Sequence, residues 1–360
     1  MIFSKSPFCA LLFVGILELV SCTKGDEKVS GLFLTGVFIT NEGPTSGTGT
    51  VSYYDRDADI LKNDIFGSAN NGATLGATLQ PMGLLSGIGY LLSNGSNKII
   101  TVDTKDFTTK STLATGLTQP RYFLHNMTEA STGKAVNAYV TQAGTDSATS
   151  GIAVFDYTSN TVAKIIATGK GADRLIRNFS TNAVIVLNKG NAAGKDSTIA
   201  YVNSVFDSVV QKVVVGIAPN GIVQDANADI WVTCAGETGK NNAKLVKVRN
   251  NAIEFSFPIP AVSTSIITDK SRTTIYFVCN NQIYIKDLLN FGANAPTVFM
   301  KPSGATNLYS LGWDARTGLL WCGDAMDNKQ AGTVYIINPE TKVEVKKLTV
   351  GVAPNGFVFQ

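Results

Sequence analysis

The sequence predicts an all-β chain folded as a seven-bladed β-propeller. Three observations point there. The segment Val215-Gly216-Ile217-Ala218-Pro219-Asn220-Gly221-Ile222-Val223 recurs as Val350-Gly351-Val352-Ala353-Pro354-Asn355-Gly356-Phe357-Val358. Weaker copies of its second half begin at Pro81, Pro120, Ala172, Ser263 and Ala305, so the starts lie 39 to 52 residues apart. That period is the length of a four-stranded propeller blade. The third observation is the edge problem. The first unit has a second, a third and a fourth strand but no first, and Asn355 to Phe359 supplies one. Closing the ring in this way removes an open sheet edge. The alternative is two separate β-sandwiches.

The internal order of the units is the same throughout. In the unit near the N-terminus, the second strand is expected from Leu34 to Thr40, the third from Val51 to Asp55 and the fourth from Ile60 to Phe66. Each later unit opens with a short apolar strand at its start residue. A second β-rich run follows, such as Tyr139-Val140-Thr141 or Ala183 to Leu187. A loop rich in Gly, Asn and Ser comes next. The third strand ends in a polar turn, as in Ile100-Thr101-Val102-Asp103 and Tyr335-Ile336-Ile337-Asn338. Asp and Asn there hydrogen-bond the backbone two residues on and stop the strand. A β-branched fourth strand closes the unit, for instance Thr161 to Ile166. Short alternating strands with turn punctuation and no long amphipathic helical stretch fit an all-β chain. Trp231, Trp313 and Trp321 fall on strands and are expected to pack between blades. Tyr53 and Tyr54 must point to opposite faces, which leaves one of them free to be exposed.

Composition narrows the function classes. Of 360 residues, 16% are charged and the net charge is +3. A coiled coil or a charged disordered chain needs more charge, and nucleic-acid binding needs clustered Lys and Arg. Residues 1–21 carry the pattern of a secretion signal: Lys5, then an apolar run from Ala10 to Val20, interrupted by Glu18 and too short to span a bilayer. Leu19-Val20-Ser21-Cys22 resembles a bacterial lipobox, so Cys22 is expected to be lipidated and residues 22–31 to form a tether ahead of a propeller domain at 32–360. An acyl anchor would hold the protein at a membrane without spanning it. With Cys9 removed and Cys22 acylated, Cys234, Cys279 and Cys322 remain, each closing an apolar run and expected to be a small buried hydrophobe. No CxxC or His/Cys cluster points to zinc.

The block Gly36-Val37-Phe38-Ile39-Thr40-Asn41-Glu42-Gly43, with Ser52-Tyr53-Tyr54-Asp55, Asp64-Ile65-Phe66 and the later Val-Gly-x-Ala-Pro-Asn-Gly and Ile230-Trp231-Val232 segments, resembles the YncE-like propeller surface lipoproteins of Bacteroidota. The resemblance spans essentially the whole chain beyond Cys22. It implies secretion, a lipid anchor in the outer membrane at the cell surface, and capture of a ligand for a TonB-dependent transporter. One branch of that group captures cobalamin. No cobalamin-contact pattern matches residue by residue, so a corrinoid is one candidate ligand among several.

If the first strands line a central channel, their starting residues share one face with the loops joining second to third strands. Those residues are Met82, Arg121, Asp173, Arg174, Asn220, Thr264, Asn307 and Asn355. Arg121, Arg174, Asp173, Asn220, Asn307 and Asn355 are the candidate ligand-binding residues, with the two guanidinium groups suited to a carboxylate or phosphate. Local pairing of Arg174 with Asp173, and turn-capping by Asn220 and Asn355, are the alternatives. Lys189, Lys195 and Lys240 on the loops are expected to be solvated. The single His, His125, falls on the opposite face from the loops, so no catalytic constellation is expected. Asp146, Glu237, Asp324 and Asp327 are scattered over three blades and do not form a dense metal site.

The sequence thus leads to a binding protein for a small molecule or glycan, with no cofactor, no metal and no nucleic acid. A protein–protein adaptor is the alternative, and a metal-dependent hydrolase of the lactonase kind is a third reading.

Overall fold

The computed structural model describes Met1 and residues 33–125, 137–181, 183–289 and 294–360. Residues 2–32, including the expected signal, the Cys22 lipidation site and the tether, lie outside the described residues. From Phe33 onward the chain forms seven four-stranded antiparallel sheets arranged as a seven-bladed β-propeller.

Blade one consists of Pro354–Phe359, Val37–Asn41, Thr50–Asp55 and Ile60–Lys62, in that order from the inside. The C-terminal strand closes the ring as expected. Val37 pairs with Phe359 and Ile39 with Phe357. The other innermost strands are Gly83–Leu85, Pro120–His125, Ala172–Arg177, Pro219–Gln224, Ser263–Thr268 and Leu308–Asp314. Two of them begin later than the repeat suggested, at Gly83 and Leu308.

The core follows from burying both faces of each sheet. Second strands such as Val37–Asn41 and Ile230–Cys234 are buried at every position. Outermost strands such as Val343–Thr349 alternate and remain largely exposed. The buried apolar side chains form seven clusters, one at each junction between adjacent blades. At the seam between blades seven and one, Trp321 is wedged edge-on between Phe357 and Phe359, at ring distances of 5.8 and 5.5 Å, and also meets Tyr54. The three cysteines are free and buried, one each at the junctions of blades four to seven. Burial pushes the Cys234 thiol up to about 12, so it stays protonated.

Two expectations need correction. The fourth strand of blade one ends at Lys62 instead of reaching Phe66. Asp64 adopts a left-handed conformation and accepts from the Gly67 N–H at 3.1 Å, which starts a one-turn helix, Ile65–Ala69. The helix turns Ile65 and Phe66 into the junction with blade two. Tyr53 and Tyr54 do face opposite ways, but neither is exposed. Tyr53 packs toward blade two and Tyr54 toward blade seven, because both faces of the sheet are covered.

A register irregularity is common to all seven blades. Near the start of each innermost strand, one extra residue faces the second strand. In blade five, Pro219 pairs with Cys234 and Gly221 with Thr233, so Asn220 is left out of the ladder. Asn355, Thr264 and Tyr309 are left over in the same way. In blades three and four the pairs Arg121-Tyr122 and Asp173-Arg174 occupy the place of one residue. In blade two the surplus lies between the Leu79–Ser93 bridge and the Gly83–Tyr90 pair. Such a bulge re-aims side chains away from the ladder.

Removing residues 354–360 should abolish cooperative thermal unfolding followed by far-UV circular dichroism, because blade one loses its inner strand and Trp321 two of its three aromatic partners. A cooperative melt near that of the full chain would contradict the closure.

Candidate functional site

The bulges aim their side chains at the ring's axis, where a cavity of about 220 Å³ opens on the face that carries the starts of the inner strands. Its wall includes Arg121, Tyr122, Asp173, Arg174, Asn220, Thr264, Tyr309 and Asn355, all of them bulge residues. Gln80 and Pro81 line it from blade two, and Glu42 and Lys189 reach it from the second strands' outgoing segments. Those segments share the face as expected. Their backbones hydrogen-bond the residues entering the inner strands: Glu42 N–H to Ala353 O at 2.8 Å, Ala143 N–H to Gln119 O at 3.0 Å and Ala235 N–H to Ala218 O at 2.9 Å.

The repeated Pro-Asn-Gly motif has a separate task for each residue. Pro219 and Pro354 open the inner strand. Asn220 Nδ2 then donates to Ser263 O of the next blade, and Asn355 Nδ2 donates to Leu79 O, both at 2.6 Å. Gly is needed third because the neighbouring blade is too close for a side chain. A Cβ on Gly221 would lie 2.6 Å from Ile266 Cγ2, and one on Gly356 would lie 2.7 Å from Pro81 Cβ. Thr264 Oγ1 makes an equivalent tie to Leu308 O at 3.2 Å. Asn220 also accepts from Thr233 Oγ1 at 2.9 Å. These residues line the wall, but their polar groups mainly tie blades together.

The charged residues differ. Among the described residues, neither the Arg121 nor the Arg174 guanidinium donates a hydrogen bond or forms an ion pair. Arg174 lies over the Tyr122 ring, 4.8 Å from its centre, instead of pairing with Asp173. Asp173 is 7% exposed, and its nearest cation is Lys189 Nζ at 3.7 Å, beyond hydrogen-bond distance. Tyr309 Oη donates to Glu42 Oε2 at 2.6 Å. Burial pushes the Tyr122 phenol up to about 12, with Arg174 pulling the other way. Burial and the Glu42 carboxylate raise the Tyr309 phenol still further. Both phenols therefore remain neutral donors at physiological pH. The lining carries three cations against two carboxylates.

Five of the six candidate residues are brought together here, and Asn307 is not in the wall. Its N–H donates to Asp324 Oδ1 at 2.8 Å and its carbonyl accepts from Ala325 N–H at 2.9 Å. In blade seven the axial position belongs to Tyr309. Tyr122, Glu42 and Tyr309 went unnoticed in the sequence, and Lys189, expected to be solvated, borders the cavity with an exposed side chain. Met82 is buried between blades one and two. The loop carboxylates hold their own loops. Asp324 accepts from the backbone of Thr306, Asn307 and Met326, Asp146 from Ala148 and Thr149, and Asp327 from Lys329 and Gln330. Glu237 pairs with Lys240. His125 ends its inner strand, away from the cavity.

Residues 35–317 match the family described as "Domain of unknown function (DUF5074)". The chain belongs to this family. No protein of curated function matches it. Among solved structures, the chain is similar to a quinoprotein alcohol dehydrogenase-like protein from Bacteroides thetaiotaomicron, with a TM-score of 0.64 and 16% identity over 91% of this chain and 78% of that one. It is also similar to hydrazine synthase of Kuenenia stuttgartiensis, with a TM-score of 0.60 and 12% identity over 75% and 85%. At these identities the likeness establishes the propeller fold of this DUF5074 chain. Among the described residues, no helix is long and apolar enough to cross a membrane.

Scaffold and site residues should separate in a melting experiment. Asn220→Ala leaves Ser263 O and Thr233 Oγ1 without their partner and should cost about 1–3 kcal/mol in chemical denaturation. Arg121→Ala removes no internal hydrogen bond and should change stability by less than ~0.5 kcal/mol.

Proposed function

We propose that this DUF5074 propeller is a binding protein whose axial cavity holds an anionic small molecule or the anionic end of a glycan. The observation that carries this reading is the pair of guanidinium groups, Arg121 and Arg174, turned toward one cavity with no acceptor among the described residues. A guanidinium is a planar donor fork that matches carboxylate and phosphate oxygens. Tyr122 beneath Arg174 fixes the plane of that fork, and its neutral phenol adds a donor without adding charge, while the Tyr309 hydroxyl is already given to Glu42. The cavity's one-charge cationic excess favours an anion.

The cellular setting we infer rests on the sequence. Cys22, in its lipobox-like context, would be acylated after signal cleavage, placing the propeller on the outer membrane at the cell surface. The resemblance to YncE-like surface lipoproteins favours handover of the ligand to a TonB-dependent transporter, with a corrinoid among the ligands to be screened. An adaptor with no small ligand is the competing assignment, and the unpaired arginines favour ligand binding over it.

Isothermal titration calorimetry with tricarballylate and inorganic phosphate tests the cavity. The wild type should give a saturable heat with at least one of them. Arg121→Ala combined with Arg174→Ala should weaken it by more than about 30-fold, since a hydrogen bond to a charged group contributes roughly 1.5–3 kcal/mol. No saturable binding by a folded wild type would overturn the proposal. For the anchor, Cys22→Ser should eliminate incorporation of labelled palmitate in cells and release the protein from the membrane fraction. Retained label would assign the acyl group elsewhere.

A further inference from the structure

The cavity offers more than donors for an anion. Asp173 is 7% exposed, yet among the described residues no N–H or O–H donates to its carboxylate within hydrogen-bond distance. Lys189 Nζ, 3.7 Å away, offsets its charge but does not saturate its oxygens. A carboxylate this little exposed and without a donor is left to water or to a ligand, and folded proteins satisfy such groups with a partner or with bound water or ligand. Glu42 presents a second acceptor to the same space. One oxygen takes the Tyr309 hydroxyl, and the other has no donor among the described residues. The site therefore pairs unmet donors, on Arg121 and Arg174, with unmet acceptors, on Asp173 and Glu42.

A bare anion such as sulfate or a simple fatty acid would satisfy only the arginines and would bring more negative charge up to Asp173 and Glu42. A ligand that carries hydrogen-bond donors of its own satisfies both sets. Such a donor could be a hydroxyl or an ammonium. The local field decides between them. Asp173 already faces Lys189, and Arg121 and Arg174 line the same cavity, so an additional cation would meet three positive groups. A hydroxyl donates without adding charge.

Resting on the anion-binding reading above, we propose that the cavity selects a hydroxylated carboxylate of the sugar-acid class: the carboxylate lies on Arg121 and Arg174, and ring hydroxyls donate to Asp173 and Glu42. A free sugar acid and a sugar-acid unit at the end of a glycan share this chemistry.

The experiment compares three ring-matched probes by calorimetry: D-glucuronate, cyclohexanecarboxylate, which lacks the hydroxyls, and trans-4-aminocyclohexanecarboxylate, which carries an ammonium. D-Glucuronate should bind about tenfold or more tighter than cyclohexanecarboxylate, in keeping with one or two hydrogen bonds to charged acceptors. The amino analogue should bind no tighter than cyclohexanecarboxylate. Asp173→Asn should reduce the glucuronate preference to about threefold or less while tricarballylate binding persists. If that variant does not fold, Glu42→Gln provides the same comparison at a more exposed residue. Methyl β-D-glucuronide distinguishes the two sources. Binding equal to glucuronate assigns a glycan terminus, and at least tenfold weaker binding assigns the free acid. Equal affinity of glucuronate and cyclohexanecarboxylate, with arginine-dependent tricarballylate binding intact, overturns the sugar-acid inference alone. Loss of every anion, tricarballylate included, overturns the anion-binding reading with it.

Discussion

One extra residue at the start of each inner strand organises this molecule. Seven inner strands surround the cavity, and each leaves its ladder by one residue near its start. The surplus residue lets the strand leave the ladder for one step, and the side chain released at that step projects toward the axis. Neighbouring side chains, Ile266 and Pro81 among them, then come close enough that Gly221 and Gly356 have no room for a Cβ. The fold fixes where these side chains go and leaves open which ones they are. In blades one and five the position holds Asn and ties the ring together. In blades three and four it holds charge. Scaffold and site thus share one geometric device, and a cavity can be rewritten without touching the sheets.

The architecture was legible in the sequence because burial on both faces imposes a recognisable composition. Runs such as Ile230-Trp231-Val232-Thr233-Cys234 and Ile275-Tyr276-Phe277-Val278-Cys279 repeat at blade spacing, and the Pro-Asn-Gly motif marks two inner strands without ambiguity. Closure was legible for the same reason: Asn355 to Phe359 reads as an inner strand that lacks a blade of its own. The failures have physical causes. Ile60, Leu61, Ile65 and Phe66 suit a strand, but Asp64 takes up a left-handed conformation, caps Gly67 and diverts the chain into a helical turn. The polar Lys62-Asn63-Asp64 step was the signal for that turn, and the apolar residues on either side of it masked it.

The site was legible in part. Arg121, Asp173 and Arg174 follow directly from the repeat, because Pro120 and Ala172 mark their strands correctly. Asn307 did not, because blade seven has no proline at its inner-strand start and the Ala305 copy is offset by three residues from the observed Leu308. With the register corrected, Leu308-Tyr309-Ser310 aligns with Pro354-Asn355-Gly356, and Tyr309 becomes the axial residue. Glu42 is a different case. It comes from the turn after a second strand, and its closeness to Tyr309, 267 residues away, is created only when the ring closes.

The charged groups outside the cavity show how unusual the axial ones are. Asp225 accepts from Trp231 Nε1 at 2.8 Å, and Asp229 lies between Lys247 at 3.0 Å and Arg249 at 2.6 Å. Arg56 is buried against Asp314 at 2.7 Å and donates to the Thr35 carbonyl at 2.6 Å, holding blades seven and one together. Each of these buried charges has a counter-charge or a neutral donor within hydrogen-bond reach, which is what desolvation demands. The half-buried arginine pair and the little-exposed Asp173 carboxylate lack such hydrogen-bonded partners among the described residues. Unmet groups of opposite type, gathered where the bulges turn side chains into one cavity, are what a binding site needs before its ligand arrives.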